Sequence, residues 1–288
     1  MKDVLAGEKI LITRAEHQVT DFKNKLEAAG AVPVVIPVID FKEPESWDDL
    51  DKAIEDIKRF DWIIFASTNA VNCFIERYKA KNHDIQRLAE IKLGAIGSKT
   101  AEELNKHGLK SSYQPSKFVA EEFVHQFPDR NNLKGLKVLW PRTNIGRTLI
   151  YDEFTARGAS VTMATAYRTE LPDNYEAISV ELFNLCNQRE VDLIAVASSQ
   201  TVRNLATLLK FGTVAYAKTQ GFIVSPDSKA LDSSIKSLME NIAIASIGPV
   251  TSKTARSYLG RVDTESSEHT IDGLIDAIVK YFKYSNSK

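Results

Sequence analysis

The chain is poor in the residues from which most metal, redox and nucleotide sites are built. Its 288 residues include only two cysteines, Cys73 and Cys186, too few for a CxxC pair or a four-ligand metal set. Both fall at comparable places in related segments and read as packing residues. The five histidines (His17, His83, His107, His125 and His269) have no ligand-like spacing, so no metal is expected. Neither GxGxxG nor a Walker A loop occurs, nor GxSxG, nor HExxH, which leaves a nucleotide-dependent oxidoreductase without its fingerprint. Charge of one sign is also missing. With 37 basic and 38 acidic side chains the net charge is −1, which argues against general nucleic-acid binding. Nothing from Met1 to Lys9 resembles a signal peptide, and no apolar run would span a bilayer. These absences predict a cytoplasmic, soluble protein of two domains with no membrane partner.

What is present is a repeat, in the order A-B-A-B. The segment Ile10-Leu11-Ile12-Thr13-Arg14, followed by Gly30-Ala31, recurs as Val138-Leu139-Trp140-Pro141-Arg142 and Gly158-Ala159, a constant 128 positions later. Phe60–Thr68 aligns with Val191–Ser199, and Ile96-Gly97-Ser98-Lys99-Thr100 aligns with Ile247-Gly248-Pro249-Val250-Thr251. Such a period is too long for a solenoid and marks a duplication at the scale of a domain. A ligand would most naturally face turns from both copies.

Each A segment reads as a strand, helix and strand. The first runs Lys9–Thr13, a helix capped at Thr20-Asp21, Gly30 at the helix end, and Val32–Val38, an edge strand because of Pro33 and Pro37. The second runs Lys137–Trp140, a helix near Leu149–Arg157, and Ser160–Ala166. Each B segment opens on a continuous apolar strand, Trp62–Ala66 or Leu193–Ala197, as suits a parallel strand covered on both faces. A further strand follows (Lys92–Ile96; Ile242–Ile247), and amphipathic helices close the segments at Val119–Phe127 and Ile271–Tyr281. Val38–Trp47 and Tyr167–Tyr175 lose periodicity and read as linkers, and Tyr284–Lys288 as a loose tail. The expected class is α/β with parallel sheets. Whether A1 pairs with B1 or with B2 is open at this level.

The strand-to-helix turns hold small hydroxyls, glycine and arginine: Thr13-Arg14, Ser67-Thr68-Asn69, Gly97–Thr100, Pro141-Arg142-Thr143, Ser198-Ser199 and Gly248–Thr251. In open parallel sheets these turns gather at the carboxyl ends of the strands, where ligands bind. Free N–H groups at helix starts favour anions there, by about 0.3–1 kcal/mol each. Any single hydroxyl is explained as a cap; recurrence of the same turn in both copies points to a polyanionic ligand. Tyr167 ends the second A segment where the first has Ile39, placing a phenol at the edge of the expected cleft.

In these motifs the chain resembles the uroporphyrinogen-III synthase family over about Lys9 to Phe282. The resemblance rests on Ile247-Gly248-Pro249-Val250-Thr251, Ile96-Gly97-Ser98-Lys99-Thr100, Phe65-Ala66-Ser67-Thr68-Asn69-Ala70-Val71 and Ala166-Tyr167-Arg168-Thr169. It implies two flavodoxin-like α/β domains joined by a two-stranded linker. One domain would be 1–38 with 171–288, the other 42–167, with linkers near 39–41 and 168–170 and a cleft between the domains.

The implied reaction is dehydration and closure of hydroxymethylbilane, a linear tetrapyrrole with eight carboxylates, with inversion of ring D through a spiro intermediate. No cofactor is implied, because the enzyme holds a conformation rather than supplying strong acid–base chemistry. Tyr167 matches the family's tyrosine that assists departure of the hydroxyl, with an ordinary phenol pKa near 10. Thr100 and Thr251 match threonines that line the cleft, and Ser67 and Ser198 the serines at the B-strand ends. Where the family often has Ser-Pro-Ser this chain has Ser198-Ser199-Gln200, which puts that local contact in doubt. Thr68, Asn69, Ser98, Ser199, Gly248 and Pro249 complete the expected substrate contacts, and the repeat adds Arg14 and Arg142. The resemblance also implies a monomer and leaves room for transient contact with hydroxymethylbilane synthase. A different class of function, a two-lobed binding protein for a polycarboxylate, would keep the turns without needing Tyr167.

Overall fold

A computed structural model describes residues 4–116, 119–128, 132–226 and 228–285. The chain begins with β1 (Lys9–Ile12), α1 (Thr20–Ala28), β2 (Val32–Val35) and β3 (Asp40–Lys42). It continues through α2 (Asp48–Glu55), β4 (Trp62–Phe65), α3 (Thr68–Ala80), β5 (Lys92–Ala95), α4 (Ser98–Lys106) and α5 (Ala120–His125). The second A segment forms β6 (Lys137–Thr143), α6 (Leu149–Ala156) and β7 (Ser160–Glu170). Then follow α7 (Tyr175–Asn187), β8 (Leu193–Val196), α8 (Ser199–Thr219), α9 (Lys229–Leu238), β9 (Ala243–Ser246), α10 (Pro249–Leu259), β10 (Thr264–Glu265) and α11 (Ile271–Ser285). Two compact units result, Met1–Asp40 with Glu170–Lys288, and Phe41–Thr169. The first thus holds the first A and second B segments, the other the remaining two. Among the described residues no helix is long and apolar enough to cross a membrane.

In the discontinuous unit the strand order is β10-β9-β8-β1-β2, all paired in parallel. Counted from β2 this is the 2-1-3-4-5 order of flavodoxin-like sheets. The other sheet reads β3-β7-β6-β4-β5. Taking β6 as its first strand, β7-β6-β4-β5 repeats the order, and the parallel bridge from Gly94 to Tyr113 fills the fifth place. β3 is an addition outside β7.

Alternation explains why the short strands are apolar throughout. Ile63 and Phe65 face one core with Phe74 and Tyr78, while Trp62 and Ile64 face another with Phe123 and Phe154. In the other unit Ile194 and Val196 pack with Leu11 and Leu205, and Leu193 and Ala195 with Ile10 and Phe22. Period-2 side chains buried on both faces leave no polar face to a strand. The two copies also share their starts and stops. Asp61 accepts from the Lys137 N–H at 2.8 Å and Asp192 from the Lys9 N–H at 2.7 Å, tying each B strand to its A strand. Gly30 and Gly158 take φ of 92° and 90° just past α1 and α6, the left-handed turn that suits glycine.

Four sequence expectations need correction. Thr20 is the first helical residue, not a cap, and Val19 precedes it with no side-chain capping bond. The stretches read as linkers carry β3, and β7 runs on from Ala166 to Glu170, because Thr169 and Tyr167 remain bonded to the end of β6. Cys186 lies on α7, ahead of its B strand, whereas Cys73 lies on α3, behind its own, so the two are not equivalent. Both are free thiols that pack against apolar cores. The supposed tail at 284 and 285 belongs to α11, and 286–288 fall outside the described residues.

Candidate active site

Within the 41–169 unit, three connections stand at the carboxyl edge of the parallel sheet. After β4, Ser67 adopts an extended conformation and caps α3, its Oγ accepting from the Ala70 N–H at 3.1 Å. Thr68 and Asn69 follow, half-buried. After β5, Gly97 precedes α4; Ser98 is half-exposed, while Thr100 is turned under the first helical turn with only 4 % of its surface exposed. After β6, Arg142 lies over the Trp140 ring, 4.7 Å from its centroid. Its Nη2 is shared among the carbonyls of Ile145 (3.0 Å), Gly146 (3.0 Å) and Arg147 (3.3 Å), closing that loop.

Tyr167 is the centre of this edge. It sits on β7 and is 7 % exposed, its phenol 3.1 Å from Ser67 Oγ and its ring edge-on to Phe41 at 5.6 Å. Expected at the start of a linker, it is instead a strand residue packed into the core that also holds Ala164 and Ala166. Burial raises its pKa above the ordinary phenol value, against smaller opposing effects of the Ser67 bond and the Arg142 charge. The phenol is therefore neutral through the physiological range and can donate a hydrogen bond.

The Ser67 bond matters for the direction of donation. Ser67 Oγ accepts from the Ala70 N–H, and between Ser67 and Tyr167 either hydroxyl can donate; in one arrangement the serine proton goes to the phenol oxygen. In that arrangement the phenol proton is free for an acceptor outside the protein.

The other unit repeats the turns with different partners. Ser198 caps α8 in a reciprocal capping box, its Oγ accepting from the Thr201 N–H at 3.1 Å while Thr201 Oγ1 accepts from the Ser198 N–H at 3.2 Å. Ser199 Oγ donates to the Val250 carbonyl at 3.2 Å and accepts from Thr254 at 3.0 Å, bringing the β8 and β9 turns together. Pro249 opens α10 at its first turn, where no N–H is missed. Gly248 is approached closely by His269, whose Nδ1 would lie 2.5 Å from a Cβ there, so a larger residue would have to displace that ring. Thr251 is buried at 5 % exposure, in the same position as Thr100. After β1, Arg14 donates from Nη2 to Gln18 at 3.0 Å, but its Nε is buried without a partner. Burial pulls this guanidinium below its usual pKa, the nearby Asp21 charge opposing. A desolvated cation with an unspent donor suits an anionic ligand.

Comparison with known proteins gives the family. The model of the family described as uroporphyrinogen-III synthase HemD matches residues 20–276. The chain belongs to the uroporphyrinogen-III synthase family. A uroporphyrinogen-III synthase of Synechococcus elongatus is 35% identical over 278 residues, covering 96% of each chain. One of Escherichia coli is 27% identical over 69% of this chain and 79% of its own. A solved uroporphyrinogen III synthase of Thermus thermophilus shares the fold with a TM-score of 0.66 at 17% identity, covering 96% of this chain and all of its own.

Within this family frame, the departure at Gln200 has a structural account. Its amide donates to Asn204 at 2.8 Å, and Asn204 donates in turn to the Val38 carbonyl at 2.8 Å, so the side chain supports the A segment. Sequence reasoning named Thr143 and Thr169 in separate motifs and missed Asn144, which joins them into one polar group beside Tyr167. The only sign of it is the break of alternation where Tyr167 follows Ala166.

Proposed function

We propose that the chain is a uroporphyrinogen-III synthase in activity as well as family, a lyase of porphyrin biosynthesis acting on hydroxymethylbilane. The terminal hydroxyl takes up a proton from solvent and leaves as water, giving an azafulvene cation, and the proton is released again when the final ring closure restores the aromatic pyrrole. The substituted position of ring D attacks it to form the spiro intermediate, which fragments and recloses as uroporphyrinogen III. One observation carries this reading: a neutral, buried phenol held by a capping serine at the sheet edge where helix starts and hydroxyls collect. In this reading Tyr167 donates to the departing hydroxyl. Its raised pKa makes it a weak acid, so orientation and hydrogen bonding, rather than complete proton transfer, form its part.

The substrate's carboxylates need donors from both units. In this reading Arg14, Ser198, Ser199, Gly248 and Thr251 are the contacts in one, with Pro249 shaping the helix start without donating, and Ser67, Thr68, Asn69, Ser98, Thr100 and Arg142 are the contacts in the other. In the same reading the two units act as the two domains of the enzyme. Thr100 and Thr251, being buried, contribute through the helix starts they shape. The enzyme works as a cytoplasmic monomer on a substrate released by hydroxymethylbilane synthase. Holding a reactive chain in one productive shape is an entropic contribution, worth as much as several kcal/mol.

The test is an isomer assay. Hydroxymethylbilane generated in situ is incubated with the protein, the products are oxidised, and type I and type III uroporphyrins are separated. Mostly type III is expected. Type I at the spontaneous rate would leave a polycarboxylate-binding protein.

A further inference from the structure

The pairing of β6 with β7 is regular from Lys137↔Ser160 to Arg142↔Thr165, then shifts so that Thr143 opposes Tyr167. Ala166 is the extra residue of a β-bulge. In a regular strand Ala166 and Tyr167 would point to opposite faces. Here both join the same core, with Ala164, while Val161 and Met163 face the other. A bulge that re-aims one side chain is a recognised device beside reactive groups. Here it turns Tyr167 toward Ser67.

The bulge is held by a closed set of hydrogen bonds. The Asn144 N–H donates to the Tyr167 carbonyl at 3.2 Å, and Asn144 Oδ1 accepts from the Thr169 N–H at 3.0 Å. Thr143 Oγ1 donates to the same Oδ1 at 3.0 Å and stands 2.7 Å from Thr169 Oγ1. Asn144 therefore grips the strand on both sides of Arg168, through Tyr167 and Thr169. Thr169 is 9 % exposed and its two bonds are partly buried, while Asn144 itself is exposed and its bond from Thr143 lies at the surface.

We propose that Asn144, with Thr143 and Thr169, is a positioning group whose grip on the β7 bulge fixes the direction of the Tyr167 phenol. The proposal rests on the reading of Tyr167 as the donor to the leaving hydroxyl. It acts through Tyr167 and requires no contact between Asn144 and substrate.

The experiment measures kcat, KM and the III-to-I isomer ratio for Asn144→Ala, Asn144→Asp, Tyr167→Phe and Asn144→Ala/Tyr167→Phe in the full chain. Asn144→Ala is expected to lose about tenfold to 10²-fold in kcat, the scale of a misplaced group, with KM within about twofold. Asn144→Asp keeps the accepting oxygen and should recover most of that loss. The double variant should be no slower than Tyr167→Phe alone, because the grip has nothing left to aim. Thr143→Val, which removes one hydroxyl and keeps the branched shape, should give a smaller loss of the same kind and serves if Asn144→Ala does not fold. An Asn144→Ala rate equal to wild type, or an equal further loss in the Tyr167→Phe background, overturns the positioning role and leaves Tyr167 as donor. An unchanged rate in Tyr167→Phe overturns both.

Discussion

The turns that start α3 and α8 are copies of one ancestral turn, and they have been put to different uses. Both place a serine after a buried strand, and both serine oxygens accept the N–H three residues on at 3.1 Å. Ser198 completes a capping box with Thr201 on its own helix. Ser67 has Ala70 in the place of Thr201, so its hydroxyl has no reciprocal partner on the helix and reaches Tyr167 instead. The residue equivalent to Tyr167 in the other copy is Ile39, which carries no hydroxyl. A duplicated fold thus keeps two similar scaffolds and concentrates the phenol chemistry in one.

The largest expected effect breaks that asymmetry at its source. Tyr167→Phe keeps the ring against Phe41 and removes only the hydroxyl. Turnover should fall by up to 10²–10⁴-fold if the phenol acts as a full general acid, and by less if it only orients the leaving group. Steady-state assay under excess substrate decides this, and an unchanged rate would return Tyr167 to the core. Next in size is a paired comparison of serines. Ser67→Ala and Ser198→Ala should each cost about 1 kcal/mol of stability through a lost cap, read as similar falls in denaturation midpoint. Only Ser67→Ala should also slow catalysis at saturating substrate. Equal kinetic losses in both variants would mean that the two turns differ in nothing but the substrate carboxylate they hold.

The sequence shows the repeat because duplication preserves spacing, and it shows the strands because burial on both faces requires continuous apolar runs. Trp62–Phe65 and Leu193–Val196 could hardly be read as anything else. It does not show how far β7 extends. That depends on Asn144 and Thr169 meeting across a bulge, a contact between residues 25 apart with no signature in hydrophobic period. Candidate hydroxyls were legible as a class and not as individuals. Thr100 and Thr251 look as available as Ser98 in the sequence, yet the third helical position turns them inward. Arg142 likewise reads as a free cation, because nothing in its neighbours announces that three carbonyls of its own loop will converge on it.

A smaller effect sharpens the comparison through pH. The Tyr167 pKa is raised by burial, so the folded state holds this proton more tightly than the unfolded chain does. The resulting stability is fully present below the unfolded phenol value of about 10 and is lost as pH rises through the folded value. Tyr78, also raised by burial, contributes in the same direction. Ultraviolet titration of wild type minus Tyr167→Phe should show one phenol ionising above pH 10, and activity should have no limb from this group at neutral pH. Ionisation of that phenol near pH 8 would contradict its burial and make it a stronger acid than proposed.

The smallest expected effect compares the two thiols. Burial raises Cys73 to about 11, with Glu76 adding to the shift, and Cys186 to about 12 by burial alone. Reactivity follows the thiolate, and each unit of pKa removes about tenfold of it near neutral pH. Both should therefore alkylate far more slowly than a free thiol, with Cys73 ahead, since it is only half-buried beside Tyr167 in a cavity of about 290 Å³ lined by Phe41, Trp47 and Arg77. Mass spectrometry of the native protein after brief iodoacetamide exposure at pH 8 measures the order. Labelling of Cys186 first would mean that the α7 core opens more readily than the core around Tyr167. In that case the unit carrying the phenol would be the more rigid of the two copies, which is what a site built on fixed orientation requires.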